Sequence, residues 1–254
     1  MSHFISVLSA TFPEGEDFFI RSVRNFQSSI DDPQLETAVK GFIGQEATHR
    51  HQHRLLNERL QVMGYPTARI DRHVARLIKR LERRFFSPEM RLSMTSALEH
   101  YTATLAEIIL TSEDAQKLIG QTEVRPILLW HAFEESEHKA VAFDVYRLVG
   151  GTERTRVRGG MRIASVILFG ELILQTALSI TADKASYNPV TLVRSLYRFS
   201  RTPMFTADAL RRFRSYNRPG FHPDDWDSAA VLERWSKELF DQKNGSQRVI
   251  AQSG

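Results

Sequence analysis

The chain has 254 residues, 42% hydrophobic and 25% charged, with a net charge of +4 and no cysteine. That length suffices for one large domain or two small ones. The lack of cysteine excludes disulfides, zinc–thiolate and iron–sulfur sites and a thiol nucleophile, so any metal must be held by histidine and carboxylate.

Apolar residues recur at helical spacing, while period-two alternation between glycine-rich turns is nearly absent, so the expected class is all-α. A first helix is predicted from about Phe12 to Ser29, stopping at Asp31-Asp32-Pro33. Asp32 can cap a second helix with Pro33 in its first turn, running to Gly64 with Pro66 beyond as a stop. An arginine-rich helix follows over Ala68 to Arg84, and Ser87-Pro88-Glu89 repeats the cap-and-proline signature to open a helix to about Leu110. A fourth long helix is predicted from near Thr122 to Gly150-Gly151. Residues 1–150 are thereby expected to form a four-helix bundle, and residues 151–254 an accessory helical region packed on it. The latter reads as an apolar helix over Met161 to Thr181, two shorter helices between Pro189 and Ser215, a turn at Asn217 to Gly220, an amphipathic helix near Asp227 to Gln242, and a frayed tail after Lys243.

Charge is uneven along the chain. Residues 1–150 carry 18 basic and 20 acidic side chains, residues 151–218 carry 12 and 4, and residues 219–254 carry 4 and 6. The basic stretch (Arg154, Arg156, Arg158 and Arg162, then Arg194 to Arg218) flanks the apolar helix, a pattern compatible with an anionic membrane surface, an anionic partner or a solvated basic face; a homodimer is a separate candidate assembly. Glu171 lies in the middle of that helix, in line with Gln175 and Ser179 at i, i+4 and i+8, which favours a packed or peripheral helix over a membrane span. The N-terminus lacks a basic segment followed by a long apolar run, so no cleaved signal is expected; the expected location is cytoplasmic, with peripheral contact at the inner membrane face as a variant.

Two Glu-x-x-His segments carry the chemistry: Glu46 to His49 on the second helix and Glu135 to His138 on the fourth. Residues three apart share a helix face, so each pair presents a carboxylate and an imidazole to one point. Each pair is preceded by a helix with a glutamate on its apolar face, Glu16 among Phe12, Phe19, Ile20 and Val23, and Glu99 among Leu92, Thr95, Ala103 and Ala106. A carboxylate facing a core is costly unless it meets a cation, and the order Glu, Glu-x-x-His, Glu, Glu-x-x-His is that of di-metal carboxylate bundles. Glu14 competes with Glu16, and Glu134 with Glu135. His53 shares the face of Glu46 and His49, as an extra ligand, a donor that orients one, or a core histidine. His131, one turn before Glu135, reads as an orienting or substrate-facing group, and Tyr101 as a group that could orient a ligand. Neither segment has the zinc-protease spelling, no nucleophile elbow or phosphate-binding glycine motif occurs, and the acidic surroundings of the motifs exclude a nucleic-acid site.

The pattern resembles the ferritin-like di-iron carboxylate superfamily. The Phe12 to Arg24, Gly44 to His53 and Glu134 to Asp144 segments resemble more closely a family catalogued as predicted metal-dependent hydrolases, over about residues 4 to 240. That resemblance implies a metal site at Glu16, Glu46, His49, Glu99, Glu135 and His138. Two iron ions are expected, with manganese or zinc as alternatives. The helical surplus beyond the bundle points to an enzyme, read first as an oxidase or oxygenase acting on a small-molecule or lipid-like substrate. A hydrolase with water as nucleophile and a non-catalytic iron-binding protein are the alternatives.

Overall fold

The computed structural model describes residues 2–120, 122, 124–183 and 187–240. Among these the chain is all-α, with helices joined by short turns and no strand. The first 150 residues hold α1 (Ser2–Arg24), α2 (Pro33–Val62), α3 (Thr67–Phe85), α4 (Pro88–Thr111), α5 (Glu113–Ile119), α6 (Arg125–His138) and α7 (Val141–Leu148). The two predicted caps form: Asp32 accepts from the Gln34 amide at 2.9 Å, and Ser87 from the Met90 amide at 3.2 Å, each with proline in the first turn. α1 packs on α2, α2 on α6 and α7, these on α4, and α4 on α1, closing a ring of four helical walls.

The first helix begins ten residues earlier than predicted and runs straight through Pro13. Proline has no amide to bond the carbonyl four residues back, which normally ends or kinks a helix. Here the freed Ser9 carbonyl accepts from Asn57 Nδ2 at 3.0 Å, so the lost main-chain bond is replaced from α2. The expected fourth helix is two, parted at Lys139-Ala140. At that point the Lys139 ammonium is drawn inward to Glu107 at 3.3 Å, Ser228 Oγ at 2.7 Å and the Trp226 carbonyl.

A π-helical turn, Thr155–Met161, leads into α8 (Arg162–Ala182), followed by α9 (Pro189–Ser200), α10 (Ala207–Ser215) and α11 (Ala229–Phe240). The predicted end of the last helix at Gln242 and the tail after Lys243 lie outside the described residues. The π turn lies against α4 so closely that a Cβ on Gly160 would stand 2.3 Å from Ser93 Oγ, which only glycine permits. α8 packs on α1, α10 on α4, and α11 on α6 and α4. The largest apolar cluster unites Phe18, Phe19, Phe42, Leu92 and Tyr146 with Met161, Ala164, Tyr216 and Phe221.

Arg156 is no surface cation, contrary to its place in the predicted basic flank. It is fully buried, bonds Glu153 at 2.6 Å and the carbonyls of Tyr216 and Arg218, and lies 4.7 Å over the Tyr216 ring. A buried guanidinium needs such partners, and four of its contacts come from three residues, Tyr216, Arg218 and Phe221, which it fastens to the core. Glu171 turns inward as expected, 3.1 Å from His73 Nε2 and accepting from Gln175, while Gln175 and Ser179 are buried.

Candidate metal centre

α1, α2, α4 and α6 each send acidic or imidazole groups to the middle of the ring, and Glu16, Glu46, His49, Glu99, Glu135 and His138 are all between 0 and 4% exposed. Glu46 Oε1 lies 3.8 Å from His49 Nδ1 and 3.1 Å from His138 Nε2; Glu135 Oε1 lies 3.4 Å and 3.8 Å from the same two nitrogens. These two carboxylates therefore stand between the two imidazoles. Glu99 joins on the His138 side at 3.4 Å, and Glu16 groups with His49 and His131 on the other. Three sets of potential ligand atoms come within 4.8 Å of one another: Glu16, His49 and His131; Glu46, His49 and Glu135; Glu46, Glu99 and His138.

Among the described residues, thirteen buried side-chain nitrogen or oxygen atoms have no hydrogen-bond partner, and nine belong to these six residues. Burying that many unsatisfied polar atoms costs far more than a fold of this size can absorb unless something binds them. A divalent cation, which takes carboxylate oxygen and bare imidazole nitrogen, fits the donor set.

Electrostatics agree. Burial and the neighbouring Glu46 raise the Glu16 pKa well above the usual carboxylate range, and burial raises that of Glu46. Burial, with Glu135 and Glu46 adding, lifts Glu99 to about 8. For the imidazoles burial works downward, but Glu134 and Glu135 overcome it and hold His49 at about 10, as Glu46 and Glu99 hold His138 well above its normal value. Glu135 goes the other way: burial would raise it, but His131 and His49 keep it well below the usual range. Without a cation, the cluster keeps protons that a cation would displace.

Around this core lies a set of orienting bonds that the sequence reading only partly reached. His49 Nε2 bonds Glu134 at 2.9 Å and His138 Nδ1 bonds Gln45 Oε1 at 3.0 Å, while Gln45 Nε2 donates to Glu137 at 2.8 Å. Thus the residue just before each Glu-x-x-His braces the histidine of the other segment. Gln45 was missed; its place ahead of Glu46, matching Glu134 ahead of Glu135, was the available signal. Glu134, weighed against Glu135 as a ligand, lies behind His49, and Glu14 sits outside the cluster near Arg54 at 3.6 Å.

His131 and His53 form a relay. Asn57 Nδ2 donates to the Ser9 carbonyl, so its Oδ1 faces the Ser9 hydroxyl, which donates to it at 2.8 Å. The Ser9 oxygen must then accept from His53 Nδ1–H at 3.1 Å, and His53 Nε2 accepts from His131 Nδ1–H at 3.0 Å. His131 Nε2 then faces the cluster 2.9 Å from Glu135 Oε1, and that contact needs one proton between the two atoms, which a cation on Glu135 would displace. Burial first and then neighbouring imidazoles lower the pKa of both rings, favouring the neutral forms this relay needs. Tyr101 is engaged elsewhere, its hydroxyl 2.8 Å from Ser165 Oγ on α8.

The chain belongs to a family described as predicted metal-dependent hydrolase, whose model matches residues 1–227. No curated protein and no solved structure matches it. The family corrects one expectation: an oxidoreductase favoured over a hydrolase. That preference rested on iron as the expected occupant, and a donor set of glutamate and histidine holds redox-inert ions as well. Metal dependence is supported jointly by the family and by the histidine–glutamate clusters.

Proposed function

We propose that the chain hydrolyses a small or lipid-like ester or phosphoester at two divalent ions held by Glu16, Glu46, His49, Glu99, Glu135 and His138, in a bundle of ferritin-like type. The nine partnerless atoms on these six residues carry the reading, and the family description supports its hydrolytic sense. The two-sided arrangement, Glu46 and Glu135 between the imidazoles with Glu16 and Glu99 on opposite flanks, suits two ions. A set this rich in carboxylate favours manganese or iron, with zinc tolerated.

Bound there, the ions would supply Lewis acidity, polarising a carbonyl or phosphoryl oxygen and bringing the pKa of water toward neutrality. Glu134 and Gln45 fix the rings of His49 and His138. His131 Nε2 is the chain's own proton acceptor at the site: it takes the proton of the attacking water and returns it to the departing alcohol, so that water's hydroxyl ends on the acyl or phosphoryl group and its proton on the leaving group. His53 holds the His131 ring in place through its Nδ1–H.

The test is turnover of p-nitrophenyl acyl and phosphoryl esters by protein loaded with manganese, iron or zinc. Hydrolysis that disappears in Glu46→Ala, and falls by about 10²- to 10⁴-fold in His131→Gln with metal content kept, supports the reading. Dioxygen consumption by the iron-loaded protein, with no hydrolysis under any loading, overturns it.

A further inference from the structure

α8 and α9 turn most of their apolar side chains outward. On α8 the positions 166, 169, 170, 173, 174, 177 and 178 are exposed and read Val, Phe, Gly, Ile, Leu, Ala and Leu, an uncharged stripe roughly 18 Å long. Val166 and Ile173 are 74% and 72% exposed. α9 buries none of its residues and exposes Val190, Val193, Leu196 and Tyr197. The helix spanning Thr155–Ala182 is long and apolar enough to cross a membrane, yet most of its apolar stretch is not buried against the rest of the chain. The two helices adjoin where the Tyr187 hydroxyl donates to the Thr181 carbonyl at 3.0 Å, and both meet the start of α1, Ser179 at His3 and Phe199 at Phe4; exposed apolar surface of this extent marks a place of contact.

The charges beside it have one sign. Arg158 and Arg162 precede the stripe, and Arg194, Arg198 and Arg201 lie on or just after α9; all are exposed, and none makes an ion pair among the described residues. The described carboxylates between positions 158 and 206 are Glu171 and Asp183, and both face the body of the chain, Glu171 toward His73 at 3.1 Å and Asp183 toward His3 at 3.2 Å. Tyr187 and Tyr197, 66% and 60% exposed, add the amphipathic rings that settle at headgroup level.

We infer that this face docks reversibly on an anionic bilayer, with α8 and α9 lying in the interface and the arginines on lipid phosphates. A second copy of the chain fits less well, because pairing like faces would set arginine against arginine with no carboxylate between them. A span fits less well too, since the inner side of α8 holds Gln175 and Ser179 buried against the rest of the chain, with Ser179 Oγ 2.9 Å from His3.

Flotation of the metal-loaded full chain with phosphatidylcholine vesicles, with and without phosphatidylglycerol, tests this. The wild type should float with the anionic vesicles at low salt, bind zwitterionic vesicles at least tenfold more weakly, and be released as salt rises. Arg162→Ala and Arg198→Ala should each weaken anionic binding about fivefold, and Ile173→Ser should weaken binding to every vesicle, all with unchanged helicity and metal content. The inference fails if wild type does not float with anionic vesicles at low salt, or if the arginine variants bind as it does. It fails equally if light scattering finds a dimer that Ile173→Glu dissociates, since a second copy then covers the face. The comparison of vesicles and salts with wild type alone is decisive even if a variant misfolds.

Discussion

Replacing Glu99 with glutamine should stabilise the metal-free protein in alkali and lose most of that advantage once metal is supplied. Burial lifts the Glu99 carboxyl from 4.5 to about 8, so the folded chain holds a proton there that the unfolded chain releases. A carboxyl raised in this way loses stability as pH climbs from 4.5 through 8, by about 5 kcal/mol in total. An amide carries no such charge, but its incompletely paired groups cost about 1–3 kcal/mol. The net gain above pH 8 is then about 2–4 kcal/mol, or about 5–15 °C in Tm for a chain of this size. At pH 5 the wild-type carboxyl is already largely protonated and the amide's cost remains, so the variant should melt no higher than the wild type. The assay is thermal melting of chelator-treated wild type and Glu99→Gln at pH 5 and pH 9, repeated with manganese at about a hundred times its Kd, where binding adds about 2.7 kcal/mol to the wild type alone. An equal Tm difference at both pH values, or a full complement of metal in the variant, would refute the account of Glu99 as a buried ligand.

Glu46→Ala and Glu135→Ala should each lose most bound metal by elemental analysis with far-ultraviolet helicity retained, whereas His51→Ala, at an exposed position, should lose none; unchanged metal in the two glutamate variants contradicts the site. Glu134→Gln and Gln45→Leu should each lower metal affinity about 10- to 100-fold in chelator competition, because each removes the brace behind a histidine; unaltered affinity in both dismisses the cross-bracing. Metal uptake should strengthen as pH rises from 6 to 9, since the raised carboxyls and imidazoles must shed protons to ligate; a flat profile speaks against them as ligands. Alkaline carbonate should strip the protein from membranes, and resistance would make α8 a span.

The parts of this molecule legible in sequence are those governed by neighbours along the chain. Asp32 and Ser87 announce their helices because a cap bonds an amide two or three residues away, and Glu-x-x-His announces a shared face because helical geometry alone puts its two ends together. What escaped depends on distant partners. The first helix reads as starting at about Phe12, because the turn before Pro13 is held by Asn57, 44 positions on, which takes over the carbonyl that the proline frees. The break at Lys139 coincides with acceptors at Trp226 and Ser228. Arg156 looks like part of a basic surface until residues 216 to 221 close around it, and Gln45 looks unremarkable until His138 stands across from it.

The irregularity at Pro13 reaches further than its own helix. An amide missing from the backbone of α1 leaves one carbonyl to be satisfied by a side chain, and that side chain thereby loses its freedom to flip. Three hydrogen bonds further on, the same constraint directs the His131 Nδ1–H to His53 and leaves Nε2 facing Glu135. The ring's orientation is thus committed before any ion arrives, and loading requires no rotation of a buried imidazole. An alanine at this position would restore a competing donor for the Ser9 carbonyl and hand Asn57 back its choice of orientation, turning a fixed polarity into an average of two.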